Sequence, residues 1–177
     1  MRATHTTIML LNYYKIQYLI VTKSDMVAMD EYINIYDKSL AHFQVTITST
    51  NDITSLSYEK APSTSKRIQA IEKLQNYGFD VSVRLSPYIY ENIDVSILDG
   101  IGCNKILIEF LKVNHWVKKW FNIDYSPYSL SYGWYDHLQL DHKIKLVSKI
   151  TGFEQVSVGE YVKDHYEYFR DNVNHNK

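Results

Sequence analysis

The sequence predicts an α/β protein built on about five parallel strands. Two observations carry that expectation. Short apolar runs rich in β-branched residues recur along the 177 residues, and helical patterns separate them. No internal repeat, low-complexity block or linker divides the chain into two domains. Strands that alternate with helices imply a parallel sheet joined by right-handed crossovers. Five strands cannot close an eight-stranded barrel, which usually needs roughly 250 residues. A doubly wound sheet fits the count, and so does part of a barrel.

The elements follow in order. Residues 4–14 read as a helix, with Thr4, Thr6 or Thr7 as its cap and Ile8, Leu11 and Tyr14 on one face. Tyr18–Thr22 is a continuous apolar run of the kind found in strands buried on both faces. Residues 25–36 place Met26, Met29, Ile33 and Tyr36 at helical spacing, and residues 43–48 form a second strand. Residues 61–78 give the clearest helix, entered after Pro62 with Ser63 as candidate cap and closed by Gly78. Residues 79–85 alternate as a third strand, residues 93–100 make a short helix or turn, and residues 105–111 make a fourth strand. An irregular aromatic stretch at 116–135 holds all three tryptophans. Residues 141–151 are helical, and residues 154–158 form a short fifth strand. The barrel-type domain thus occupies residues 1–160. Residues 161–177 form a polar tail that begins as a helix and then frays.

Composition narrows the function classes. The chain is 45% hydrophobic and 22% charged, an ordinary globular balance. A net charge of −1 gives no general polyanion-binding surface. The apolar stretch at 8–11 is too short to span a bilayer and lacks a signal-peptide cleavage site, so a soluble cytoplasmic protein is expected. Cys103 is the only cysteine. That excludes an intrachain disulfide, a cysteine-based zinc finger and any iron–sulfur cluster held by three or four cysteines of this chain.

Ligands of parallel α/β folds bind at the carboxyl ends of the strands. Strand one ends in Thr22-Lys23-Ser24-Asp25 and strand two in Thr48-Ser49-Thr50-Asn51-Asp52. Strand three carries Arg84 and exits through Ser86-Pro87-Tyr88. Strand four carries Glu109 and exits through Lys112-Val113-Asn114-His115. Hydroxyls, cations and carboxyl or amide groups that converge in this way suit a small anionic or zwitterionic ligand. Each also has a plain structural reading. Ser49 and Asp52 serve as caps, Lys23 is a solvated lysine at a helix entry, and Arg84 pairs with Glu109 or Glu59.

The pieces IVTKSD, VTITSTND and YEKAPSTSKRIQAIEKLQNYGFDVSVRLSP, in that order, resemble the radical SAM superfamily. The nearest branch is the spore photoproduct lyase-like one, and the likeness covers residue 18 to about residue 111. The resemblance implies an incomplete parallel (β/α) barrel that binds S-adenosylmethionine at its carboxyl face. It implies that Lys23 and Arg84 meet the methionyl carboxylate and that Ser49 contacts the ribose or methionyl part. In such enzymes a Cys-x-x-x-Cys-x-x-Cys motif holds a 4Fe–4S cluster, whose electron cleaves S-adenosylmethionine to methionine and a 5′-deoxyadenosyl radical. This sequence has no such motif, so the 4Fe–4S cluster expected in the family lacks its ligands here.

Three accounts follow: a fragment lacking an N-terminal cluster-binding half, a split subunit completed by a second polypeptide, or a degenerate half-barrel. The first is preferred. An open sheet would then expose an edge and an apolar inner face, so the isolated chain is expected to aggregate or oligomerise. A non-enzymatic α/β ligand-binding or subunit-interaction module is the alternative function.

Other constellations are weaker. Asp136-His137 and Asp141-His142 are metal-ligand types, but their histidines are spaced i, i+5 and structural roles are expected. Residues 116–120 (WVKKW) read first as an aromatic cover over the barrel end. A nucleic-acid contact there rests mainly on analogy. His115, Tyr88 and Tyr90 read as packing residues, and Cys103 reads as a buried small hydrophobe.

Overall fold

A computed structural model describes residues 2–174. The elements are α1 (Arg2–Tyr13), β1 (Tyr18–Thr22), a 3-10 turn (Asp25–Ala28), α2 (Asp30–Ile33), β2 (Ala41–Ile47), α3 (Asp52–Tyr58), α4 (Thr64–Asn76), β3 (Asp80–Tyr88), α5 (Val95–Asp99), β4 (Lys105–Phe110), α6 (Val117–Trp120), β5 (Leu130–Tyr132), β6 (Tyr135–His137), α7 (Leu140–Val147), β7 (Gln155–Gly159) and α8 (Lys163–Asn172). Five strands pair in the order β1-β2-β3-β4-β7, all parallel. The α/β class and the five-stranded parallel sheet are as the sequence predicts.

Period-two alternation divides the sheet into two unlike faces. Phe43, Val45, Ile47, Val81, Val83, Leu85, Ile106, Ile108, Phe110 and Val158 point to the helix-covered side and are buried. Their neighbours His42, Gln44, Thr46, Asp80, Ser82, Arg84, Lys105, Glu109, Gln155 and Ser157 occupy the opposite side. Ion pairs run across this second face. Asp80 accepts from Lys105 at 2.6 Å and meets His42 at 2.7 Å. The sequence expectation of an apolar inner face is therefore wrong. Among these strand positions Leu19, Val21 and Leu107 interrupt a polar surface, whose charges come from β3 and β4.

Several local expectations are also corrected. The helical spacing at 25–36 breaks at Met29, which takes an extended conformation between the 3-10 turn and α2. Ser63 occupies the N-cap position of α4 without capping it by its side chain. Asp52 does this instead, accepting from the Ser65 amide at 2.9 Å and its hydroxyl at 2.6 Å. The short helix α3, entered through the Asn51 cap, escaped the periodicity because Ile53 and Leu56 point outward. Within the aromatic stretch, Gly133 and Trp134 take positive φ and turn a β5–β6 hairpin. The cover over the sheet end comes from Phe121, Tyr125 and Tyr128, while Trp116 and Trp120 face outward. The tail begins as α8, whose Phe169 is fully buried. The expected fraying beyond it concerns residues 175–177, which lie outside the described residues.

The turn after α7 packs tightly on α5. Asp99 accepts from the Thr151 amide and hydroxyl, the latter at 2.9 Å. This leaves no room at Gly152, where a Cβ would lie 2.5 Å from the Asp99 Cα and carbonyl oxygen. Gly152→Ala is expected to lower stability by about 1–3 kcal/mol. Urea unfolding checks this, and an unchanged midpoint would contradict the close approach.

Candidate functional site

The carboxyl ends of β1–β4 bring the predicted residues to one side of the molecule. Register pairs Thr22 with Val45, Thr46 with Arg84, and Arg84 with Leu107. Lys23 follows Thr22 and stands level with Thr46. Lys23 and Arg84 are therefore two strands apart, about 10 Å between backbones.

Neither cation is bare. The Lys23 ammonium donates to Glu59 Oε1. The other Glu59 oxygen takes a 2.5 Å hydrogen bond from Arg67 Nη2. Arg67 also reaches backbone, giving Nε to the Pro62 carbonyl at 2.8 Å and Nη1 to the Thr46 carbonyl at 3.1 Å. Two cations around one carboxylate leave a local charge of +1. Arg67 is wholly buried, so the outward share of that charge is on Lys23, whose side chain is 40% exposed. Burial works against the Glu59 carboxylate, but the hydrogen bonds from Lys23 and Arg67 outweigh it and hold its pKa below the ordinary glutamate value.

Arg84 meets Glu109, with Nη2 2.5 Å from Oε2. Of the two partners open to it in the sequence, the fold selects Glu109 and reserves Glu59 for Lys23 and Arg67. The approach to Oε2 is an ion pair rather than a directed hydrogen bond, because that oxygen is enclosed without a hydrogen-bonded donor.

Ser49 is buried. Its hydroxyl lies 3.1 Å from the Asn92 carbonyl and 3.2 Å from the Asn51 carbonyl, and it accepts from the Asn51 amide at 3.0 Å. The Ser49 carbonyl accepts from Thr64 Oγ1 at 2.7 Å, and the Thr50 amide reaches the Asn92 carbonyl at 3.0 Å. The β2 exit is thereby stitched to the β3 exit loop and to α4. Beside it, Thr48 Oγ1 is buried without a hydrogen-bond partner, although Tyr58 donates to the Thr48 carbonyl at 3.1 Å. An enclosed hydroxyl left unpaired costs about 1–3 kcal/mol, and a ligand atom would relieve it. Two cations at nearby strand ends can hold a carboxylate or a zwitterion.

The other predicted constellations do not gather. Asp136 pairs with Lys118 at 3.1 Å, while His142 packs on Tyr90 and His115 on Trp116. Among the described residues no group of three His, Cys, Asp or Glu side chains is placed to hold a metal ion. Cys103 is buried, its thiol pushed up above the usual cysteine range by desolvation and set against the Val81 carbonyl at 3.3 Å. Sequence reasoning named Thr48 only as one of the strand-end hydroxyls and missed Arg67. Arg67 sits in a polar-looking stretch beside Lys66, with no periodicity to mark it as the buried one.

No family model matches the chain, and no curated protein matches it. Solved structures do. A single-site mutant of spore photoproduct lyase superposes with a TM-score of 0.65 at 13% identity, over 91% of this chain and 56% of that one. The chain shares the fold of the matching half of spore photoproduct lyase. The lyase complexed with dinucleoside spore photoproduct gives a TM-score of 0.60 at 13% identity, over 94% of this chain and 52% of that one. A double mutant of the lyase, with bound AdoMet and dinucleoside spore photoproduct, gives 0.56 at 14% identity, over 95% and 53%. The chain spans about half the length of these lyase structures.

The Arg67–Glu59 pair sets the stability of this end of the sheet. Arg67→Ala would leave one Glu59 oxygen buried without a donor and empty an enclosed volume, and is expected to cost about 3–5 kcal/mol. The Glu59 contribution is complete above the ordinary glutamate pKa of 4.5 and is lost as pH falls through the lower folded value. Glu59→Gln is therefore expected to be less stable at neutral pH and to lose less stability on acidification. Denaturant titrations across pH check both effects, and parallel curves for the two proteins would refute the second.

Proposed function

We propose that this chain is the C-terminal portion of a radical SAM family protein and binds S-adenosylmethionine at the carboxyl ends of its strands. The observation that carries the reading is Lys23 and Arg84 standing level at the carboxyl ends of β1 and β3, on a fold shared with a lyase structure that holds AdoMet.

The residues present fit the methionyl group. Lys23 and Arg84 supply cations for its carboxylate, and the guanidinium of Arg84 offers two parallel donors once Glu109 yields one. Glu59 and Arg67 keep the Lys23 ammonium at the mouth of the site. Ser49 contacts the ribose or methionyl part by exchanging one of its backbone partners. Bound in this way, S-adenosylmethionine would supply the group whose reductive cleavage defines the family's chemistry.

The residues do not fit a 4Fe–4S cluster. One cysteine cannot hold it, and Cys103 precedes β4, at the amino end of the sheet. The proposed chain is thus inactive alone, and the cluster belongs to an N-terminal half or to a second polypeptide. The β1 edge is the natural seat for that part. No strand pairs with its outer side, Leu19 and Val21 are half exposed there, and an apolar groove of about 560 Å³ runs between β1, α1 and the 3-10 turn. Among the described residues no helix is long and apolar enough to cross a membrane. The proposal places the protein in the cytoplasm, where a single free thiol is ordinary.

The second reading is a non-enzymatic ligand-binding or subunit-interaction module. It is favoured by the carboxylates that already occupy both cations, Glu59 on Lys23 and Glu109 on Arg84.

Calorimetric titration of the chain with S-adenosylmethionine tests the cofactor site. Saturable binding is expected, weakened about tenfold or more, or roughly 1.4 kcal/mol, in Lys23→Ala and in Arg84→Ala. Absence of binding by the wild-type chain, shown folded by circular dichroism, would overturn the cofactor reading. Equal binding by all three proteins would overturn the assignment of these two residues.

A further inference from the structure

The two edges of the sheet are treated differently. The β1 edge is open, whereas the β7 edge is covered from the chain's own C-terminal segment. Beyond the end of α8, Asn174 presents its side chain to β7 like one residue of a missing strand. Its Oδ1 accepts from the Val158 amide at 2.7 Å, and its Nδ2 donates to the Val158 carbonyl at 3.0 Å. Such pairing removes an edge that could template another chain.

What holds α8 in place is a buried cluster of charge. Lys143 of α7 is fully enclosed. Its Nζ donates to Glu160 Oε2 at 2.5 Å and to His165 Nδ1 of α8 at 3.0 Å. Phe169, one turn further along α8, stacks on Phe110 of β4 at 6.4 Å, and Lys143 lies over the Phe110 ring. His137 of β6 is buried nearby and stacks on Tyr161 at 6.4 Å, with Lys112 over the other partner of that stack at 4.5 Å. The charged and titratable groups acting on His165 are therefore Lys143, Glu160, His137 and Asp164, with Lys112 acting on Lys143 and His137.

An ammonium donating to Nδ1 requires that nitrogen to be unprotonated. A proton on His165 would set two cations 3.0 Å apart in an enclosed space. The single carboxylate cannot serve both, since Glu160 Oε2 is 4.0 Å from Nδ1 and already held by Lys143. We propose that α8 is an acid-released cover of the β7 edge, latched by the contact between Lys143 and neutral His165.

The direction of the effect is fixed by the surroundings. Burial first, and then the Lys143 charge, hold the His165 pKa below the ordinary 6.5. The folded, latched state thus binds the proton more weakly than the released one. The latch is complete above the ordinary histidine value and is lost as pH falls below it. Glu160 and Asp164 oppose this and do not overcome it. Release frees the Val158 backbone groups and uncovers Phe110, creating a second pairing edge at the carboxyl side of the sheet.

Hydrogen exchange on the full chain, read as protection factors corrected for intrinsic rates, tests the latch. Protection of α8 amides and of Val158 is expected to fall several-fold, up to the roughly eightfold limit set by one proton, between about pH 7 and about pH 5.5, with β2 and β3 unchanged. His165→Gln keeps an acceptor for Lys143 but takes no proton, so its protection should stay flat. His137→Gln should retain the fall. The same fall in His165→Gln, or its loss in His137→Gln, would overturn the proposal. Should His165→Gln fail to fold, an NMR titration of His165 in the wild-type chain decides. Proton uptake below the ordinary histidine value, tracking loss of α8 protection, supports the latch. Uptake at or above that value overturns it.

Discussion

Arg67 has no access to water, so every donor it carries must be satisfied from within the protein. Its guanidinium reaches the Pro62 carbonyl before α4, the Thr46 carbonyl of β2 and the Glu59 carboxylate. Three separate pieces of chain are tied at one point, and a fourth joins when Lys23 takes the second Glu59 oxygen. A buried guanidinium is stable only where such partners are complete. The position of α4, the exit of β2 and the mouth of the strand ends therefore depend on one another. Moving any of them would break a charged hydrogen bond in a place that water cannot repair.

That arrangement bears on how far the sequence can be read. Tyr18–Thr22 was recognisable as a strand to the residue, because five consecutive β-branched, aromatic or aliphatic residues leave no helical alternative. The fourth and fifth strands were found within one residue at each end for similar reasons. Lys23 and Arg84 were visible as strand-end cations. What the sequence hid was the state of those cations. Nothing local distinguishes Arg67 from Lys66, yet one is wholly enclosed and the other is exposed. The choice between them is made by helix rotation against β2, a tertiary fact. Likewise α4 is capped by Asp52, from outside its own segment. A search for local capping boxes cannot find a cap that lies across the fold.

The inner face of the sheet shows a related limit. Alternation in residues 79–85 was evident, but an open half-barrel suggested that both faces were apolar. Instead His42, Asp80 and Lys105 form a ladder over three strands, and Arg84 and Glu109 form another rung. Cross-strand pairs of opposite charge are individually small, about 0.2–1 kcal/mol, so they do not explain the fold's stability. They do explain how a face that no helix covers tolerates water. The exposed apolar positions fall on β1, where Leu19 and Val21 stand in place of charges, beside the groove under α1.

The two edges then acquire opposite meanings. A protein that needed only to remain single would blunt both. Here one edge is closed by Asn174 and a buried Lys–Glu–His cluster, while the other keeps its backbone unpaired beside exposed apolar side chains. Edge protection is costly in design terms, because it needs a dedicated helix and a desolvated charge cluster. Its presence on β7 and absence on β1 make solvent exposure a poor account of the β1 edge. A surface covered by the partner of the proposed function would account for both. It also agrees with the distribution of chemistry along the chain: cations and hydroxyls for binding an anionic ligand stand at the strand ends, and the thiolates for a cluster do not. In the proposed function, the half that carries the cluster would meet this chain along its open β1 edge.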